Sequence, residues 1–210
     1  MSGQVDDNFL FNEKEYILAA IEYPKHFLDF EQFKLKPIEF DTSCWRGFIN
    51  TFAIDDNKLV LDRIYTNNGN KKNFKIPKIN GKTPKIMTNE DSIDDYKYFR
   101  ILDYTDLKFK INYGGSIIIA RDFIQKYYVH MGFQSPIFYK EIIKLEFQNG
   151  ELISTLDISD FAESIRQNRK KYSKKDKEFD VINRIFTGVD LFFNNDVEKL
   201  FKEKGEKNGI

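Results

Sequence analysis

The sequence predicts an α+β protein: a mainly antiparallel β-sandwich or partly closed barrel followed by a small C-terminal helical region. Three observations carry this. Two pairs of β-rich runs close on short turns, at Asp55-Asp56-Asn57-Lys58 and at Gln148-Asn149-Gly150, built from residues that tolerate the backbone of tight hairpins. Aromatic residues are abundant, with 21 Phe and 11 Tyr in 210 residues, enough apolar bulk for a substantial core. After Asp157 the apolar spacing changes from the strand period to the helix period. The domain reading is a β-rich core over residues 1–158, with a loop insertion at about 66–92, and a helical region over 159–210.

Each element follows from its own stretch. Apolar residues at Tyr16, Ile17, Ala19, Ala20 and Ile21 predict a strand over 16–22. The alternation from Phe33 to Phe40 predicts a half-buried strand, with Pro37 placing it at an edge or bulge. The first hairpin runs from Trp45 to Tyr65. Residues 66–92, rich in Asn, Lys, Gly and Pro, read as a loop with a strand-like piece at 74–79. Strands are expected at 96–102 and 107–113, and Gly114-Gly115 turns the chain into another at 116–120.

Asp122 is suited to cap a short helix through Phe123, Ile124, Tyr127 and Tyr128 that ends near Gly132. The rival reading is a strand with Tyr127, Val129, Met131 and Phe133 on one face. Runs at 138–147 and 151–156 form the second hairpin. Ser159-Asp160-Phe161 then opens a helix with Phe161, Ile165 and Tyr172 as its buried stripe. Two more helical faces are expected, one on Phe179, Ile182, Ile185 and Phe186, the other on Val197, Leu200 and Phe201.

Composition excludes several function classes. The 33 basic and 33 acidic side chains cancel, which removes a global field that would draw the chain to nucleic acid or anionic membrane. Cys44 is the sole cysteine, so an intramolecular disulfide and a Cys-rich zinc site are excluded. Only His26 and His130 are present, without a paired-His motif, and no metal or cofactor is assigned. The stretch Asn80-Gly81-Lys82-Thr83 fails as a phosphate loop, because Ile76 stands where the first glycine is needed and Pro77 and Pro84 obstruct the turn. Residues 1–7 are acidic and lack a signal-peptide pattern, and apolar runs such as Ile117-Ile118-Ile119-Ala120 fall far short of a bilayer span. The expectation is a soluble cytoplasmic protein without a membrane segment.

Candidate chemistry is sparse. His130 lies between Val129 and Met131, and packing of its ring is favoured over acid–base work. Cys44 adjoins Trp45 and Arg46, where a cation favours a thiolate, but a buried cysteine acting as a small hydrophobe is favoured. Arg166, Arg169, Lys170, Lys171, Lys174, Lys175 and Lys177 form the concentrated basic segment, read as a solvated helix face in preference to a nucleic-acid patch.

Two segments carry a likeness. They are Trp45-Arg46-Gly47-Phe48-Ile49 leading to Phe52-Ala53-Ile54, and Tyr128-Val129-His130-Met131-Gly132-Phe133 with Ser135 and Tyr139. They resemble a little-characterised family of bacterial cytoplasmic proteins, which usually has tryptophan at the position of Phe52. The resemblance implies a bacterial origin and a linked β-rich core, and it brings no activity with it. Trp45, Arg46, Tyr128, His130 and Tyr139 are the candidate ligand or partner site. The reading favours a non-enzymatic binding module of immunity or regulatory type with a protein partner. Two alternatives stay open: a small-ligand or nucleotide-related enzyme with a His130-centred pocket, and nucleic-acid binding through 166–177.

Overall fold

The computed structural model describes residues 3–68, 75–88, 100–128, 130 and 132–168. Among them ten strands form a single mixed sheet: β1 (Asn8–Phe11), β2 (Lys14–Ile21), β3 (Phe48–Asp55), β4 (Lys58–Asn67), β5 (Lys85–Thr88), β6 (Arg100–Tyr104), β7 (Phe109–Lys110), β8 (Gly115–Phe123), β9 (Tyr139–Gln148) and β10 (Glu151–Asp157). One helix, α1 (Ser159–Asn168), follows. The spatial order is β10-β9-β8-β2-β1-β3-β4-β6-β5, with β7 also on β4. Every pairing is antiparallel except β1 with β3.

The sheet curls until β10 meets β4, where Glu151 stands opposite Lys58, so of the two expected arrangements, sandwich or partly closed barrel, it takes the partly closed one. Its seam is short. The Leu59 amide donates to the Gly150 carbonyl at 2.8 Å, the Leu152 amide donates to Asn57 at 3.0 Å, and the Lys58 and Glu151 side chains pair at 2.6 Å. Gly150 lies at φ +78°, and a Cβ there would stand 2.3 Å from the Ile111 carbonyl oxygen, so the hairpin tip reaches the seam only without a side chain.

Strand periodicity builds two cores. Ile117 and Ile119 of β8 and Ile143, Leu145 and Phe147 of β9 point into the barrel with Phe9, Phe52, Leu61 and Tyr113. Ile118 and Ala120 of β8 and Ile142 of β9 point outward, where Ile158, Ala162 and Ile165 cover them. Strand β8 is therefore buried on both faces, which accounts for its unbroken apolar run. A register shift in β2 between Leu18 and Ala20 sends Leu18 inward and Ala20 to the outer core.

Three expectations are corrected. The alternating stretch 33–40 is not a strand: Phe33 ends a 3-10 turn (Phe30–Phe33), capped where the Asp29 side chain accepts from the Glu31 amide, and Lys34 is left-handed at φ 56°. Phe33 and Leu35 are buried as the alternation requires, but Lys36 donates to the Asn68 side chain and Ile38 to the Asn67 carbonyl, and Pro37 between them has no N–H, so no ladder forms. The strand piece within 66–92 is not at 74–79: residues 75–78 form no strand and Ile79 makes only an isolated bridge to Lys82, whereas β5 lies further on and pairs with β6. No helix starts at Asp122. Strand β8 continues to Phe123, opposite Tyr139, and only a 3-10 turn (Gln125–Tyr127) follows. Position 172 and the helical faces beyond it lie outside the described residues.

Candidate functional site

The N-terminal segment joins the two stretches that the sequence singles out. Gly3 bridges Gly132 in parallel fashion, and the Gln4 amide donates to the Gly132 carbonyl at 2.8 Å. On its other side the Val5 amide donates to Ser43 at 2.9 Å, Gln4 Nε2 donates to Thr42, and the Trp45 amide donates to Gln4 Oε1. Residues 3–5 thus join Gly132 to the Thr42–Trp45 stretch, and the two become one face.

Arg46 holds this junction from below. Its guanidinium forks onto Asp7, with Nη1 at 2.9 Å from Oδ2 and Nη2 at 3.3 Å from Oδ1, and Nη2 also donates to the Val5 carbonyl at 2.9 Å. The same group lies 5.0 Å from the Phe48 ring centre and 5.3 Å from that of Phe133. Asp7 is buried and also accepts from the Asn50 amide at 2.8 Å, so its charge is matched by fixed donors. Burial raises the Asp7 carboxyl from its ordinary range, while Arg46 and Asn50 pull it back down. Asp6 beside it is pushed up to about 7, first by burial, with Arg46 opposing and the Asp7 charge adding to the rise.

Around this base four large side chains face solvent: Trp45 (53% exposed), Tyr128 (52%), Phe133 (50%) and Val5 (38%). His130 is exposed beside them, its ring 6.2 Å from that of Tyr128. Three of the five candidate residues, Trp45, Tyr128 and His130, therefore stand on the surface, and Arg46 is the partly covered strut beneath. Tyr139 does not join them: it is buried, edge-on to Phe123 at 5.1 Å, and burial followed by the Asp6 charge raises its hydroxyl.

The other candidates separate. The Cys44 thiol is buried and donates to the Phe48 carbonyl at 3.5 Å, and burial raises its pKa, as suits a small core hydrophobe. Arg166 is not part of a free basic patch. Its side chain is buried, with Nη1 donating to Ile137 and Tyr139 carbonyls and Nε and Nη2 to Glu163. Arg169, Lys170, Lys171, Lys174 and Lys175 lie outside the described residues.

Near Tyr139 a cavity of about 340 Å³ holds a second polar cluster lined by Tyr16 and Arg121. The Tyr16 hydroxyl donates to Glu141 Oε1, and Arg121 pairs with Oε2 at 3.1 Å. These charges answer one another, and Tyr16 is pushed up to about 12 by burial and by Glu141. Among the described residues no group of three or more His, Cys, Asp and Glu side chains could hold a metal ion, and no helix is long and apolar enough to cross a membrane.

Sequence reasoning missed Asp6, Asp7, Val5 and Phe133 as parts of the face. Phe133 lay inside a stretch already marked, so its aromatic character was a signal; the aspartates had none, since their arginine is remote in sequence. Compared with protein-family models, with curated proteins and with solved structures, the chain shows no match.

Proposed function

We propose that this chain is a non-enzymatic interaction module of immunity or regulatory type, which binds a protein partner in the bacterial cytoplasm through the Trp45 face. The observation that supports this reading most is the clustering of Trp45, Tyr128, Phe133 and Val5, all exposed, on backbone that the 3–7 segment pins in place. Trp, Tyr and Arg dominate the energetics of protein interfaces, and exposed large aromatic side chains on one face are costly for a chain that binds nothing. Gly132 and the 42–46 stretch are tied by backbone hydrogen bonds and the Arg46 fork, which lowers the ordering entropy lost there on association. Cys44 as a buried, reduced thiol fits a reducing compartment.

The test is capture from the native host with wild type and with a Trp45→Ala/Phe133→Ala variant, followed by titration of whatever stoichiometric partner is recovered. Exposed side chains contribute little to folding, so the variant stays folded. Its affinity falls by at least about 2 kcal/mol, roughly thirtyfold in Kd. A partner that binds both proteins alike places the interface elsewhere, and repeated recovery of no stoichiometric partner overturns the reading.

A further inference from the structure

A second feature lies apart from the Trp45 face. Lys34, Lys75 and Lys78 line a groove of about 920 Å³, and Phe109, Ile76 and Pro77 supply its apolar surface over the buried Phe33 and Ile79. Phe33 and Ile79 belong to the buried core, and the Phe33 and Phe109 rings meet edge-on at 5.1 Å. Among the described residues that line it there is no carboxylate, and the three lysines make no ion pair. The wall is tethered to the barrel. The Tyr104 hydroxyl donates to the Pro77 carbonyl at 2.8 Å, Asn80 Nδ2 donates to Leu107 at 2.7 Å, and Ile79 and Lys82 exchange backbone hydrogen bonds at 3.0 and 2.9 Å. Among the described residues the chain thus fixes a groove of ligand size with an aromatic ring in its wall and sets positive charge without an acidic partner at its edge.

From this juxtaposition we propose that the groove binds a small aromatic anion: a flat apolar body against Phe109 and Ile76, with a phosphate or carboxylate group met by Lys34, Lys75 and Lys78. Lysine suits this task because a mobile point charge accommodates either oxyanion without a fixed fork. A groove of this volume accepts a molecule as large as a nucleoside phosphate.

The experiment uses the full chain and the fluorescent anion 1-anilinonaphthalene-8-sulfonate at low salt. The expected result is saturable one-to-one binding that weakens at least tenfold in a Lys34→Gln/Lys75→Gln/Lys78→Gln variant and persists in Trp45→Ala. These lysines are exposed, and an unchanged near-ultraviolet circular dichroism spectrum verifies that the variant is folded. Adenosine monophosphate and naphthalene-2,6-dicarboxylate are then compared as displacing ligands: displacement by the first identifies a phosphate ligand, by the second a carboxylate, and either supports the shared chemistry. Displacement by neither, equal displacement by uncharged adenosine, or unchanged dye binding in the lysine variant overturns the proposal. Dye binding lost with Trp45→Ala also overturns it, because the probe then reports the other face.

Discussion

Gly47 stands next to Arg46 at φ +70°, and a Cβ added there would lie 2.0 Å from the Ile38 carbonyl oxygen. Its own carbonyl accepts from the Asn67 amide and the Thr66 hydroxyl, both at 2.9 Å, so the turn has no free direction in which to yield. Gly47→Ala is expected to cost about 3 kcal/mol in urea unfolding, from left-handed strain combined with a backbone clash. A cost below about 1 kcal/mol would mean that the 38–47 loop moves aside. At this scale the sequence was partly legible. The Trp45-Arg46-Gly47 run stood out, but its physical reason did not: Gly47 is required by Ile38, and Arg46 by Asp7, contacts that exist only once the chain has folded. His130 was marked for its rarity, a property of composition that says nothing of where the ring will lie.

Among the elements, the N-terminal segment decides whether the face exists, and Asp6 makes its hold sensitive to pH. Asp6 is covered by a fold that also brings Asp7, Arg46 and Tyr139 near it, and burial pushes its carboxyl from the usual 3.8 up to about 7. The folded chain therefore keeps a proton that the unfolded chain releases. Stability from this group is unpenalised below about pH 4, falls as pH rises toward about 7, and is level above that. Asp6→Asn removes the titration, so the variant should exceed wild type by on the order of 2–4 kcal/mol at pH 8, allowing for partial exposure, and converge with it near pH 4. Urea unfolding of both proteins from pH 4 to pH 8 checks this, and parallel profiles would show that Asp6 is solvated. Legibility differed between elements for a related reason. Hairpins whose turns use Asp-Asn or Asn-Gly were plain, because local backbone preference decides them. The stretches 33–40 and 122–128 misled because alternation and capping patterns report which side chains can be buried or can cap, whereas pairing with a neighbouring strand decides what forms.

For the whole molecule, the fold class was readable, with a partly closed barrel as one of its two forms, but the pairings that close it were not. Alternating apolar residues required a sheet with a buried face, but nothing local encodes the parallel β1–β3 pairing or the return of β10 to β4. The helix was expected from its period, yet its purpose emerges only from the sheet: α1 covers the apolar outer face of β8 and β9, and Arg166 fastens it there. That guanidinium satisfies two carbonyls at the start of β9 and the turn before it while pairing with Glu163 on its own helix, so removing it strands acceptors under the helix. Arg166→Ala should cost about 2–4 kcal/mol. Arg166→Lys should recover less than half of that loss, because an ammonium cannot reproduce the planar fork. The two variants separate this role from a surface charge that meets nucleic acid, for which Lys would serve nearly as well. Urea unfolding followed by both far-ultraviolet circular dichroism and Trp45 fluorescence gives the readout. If Arg166→Ala leaves the midpoint unchanged, the helix is held by Ile158, Ala162 and Ile165 alone, and the buried arginine adds nothing to their apolar contact with the barrel.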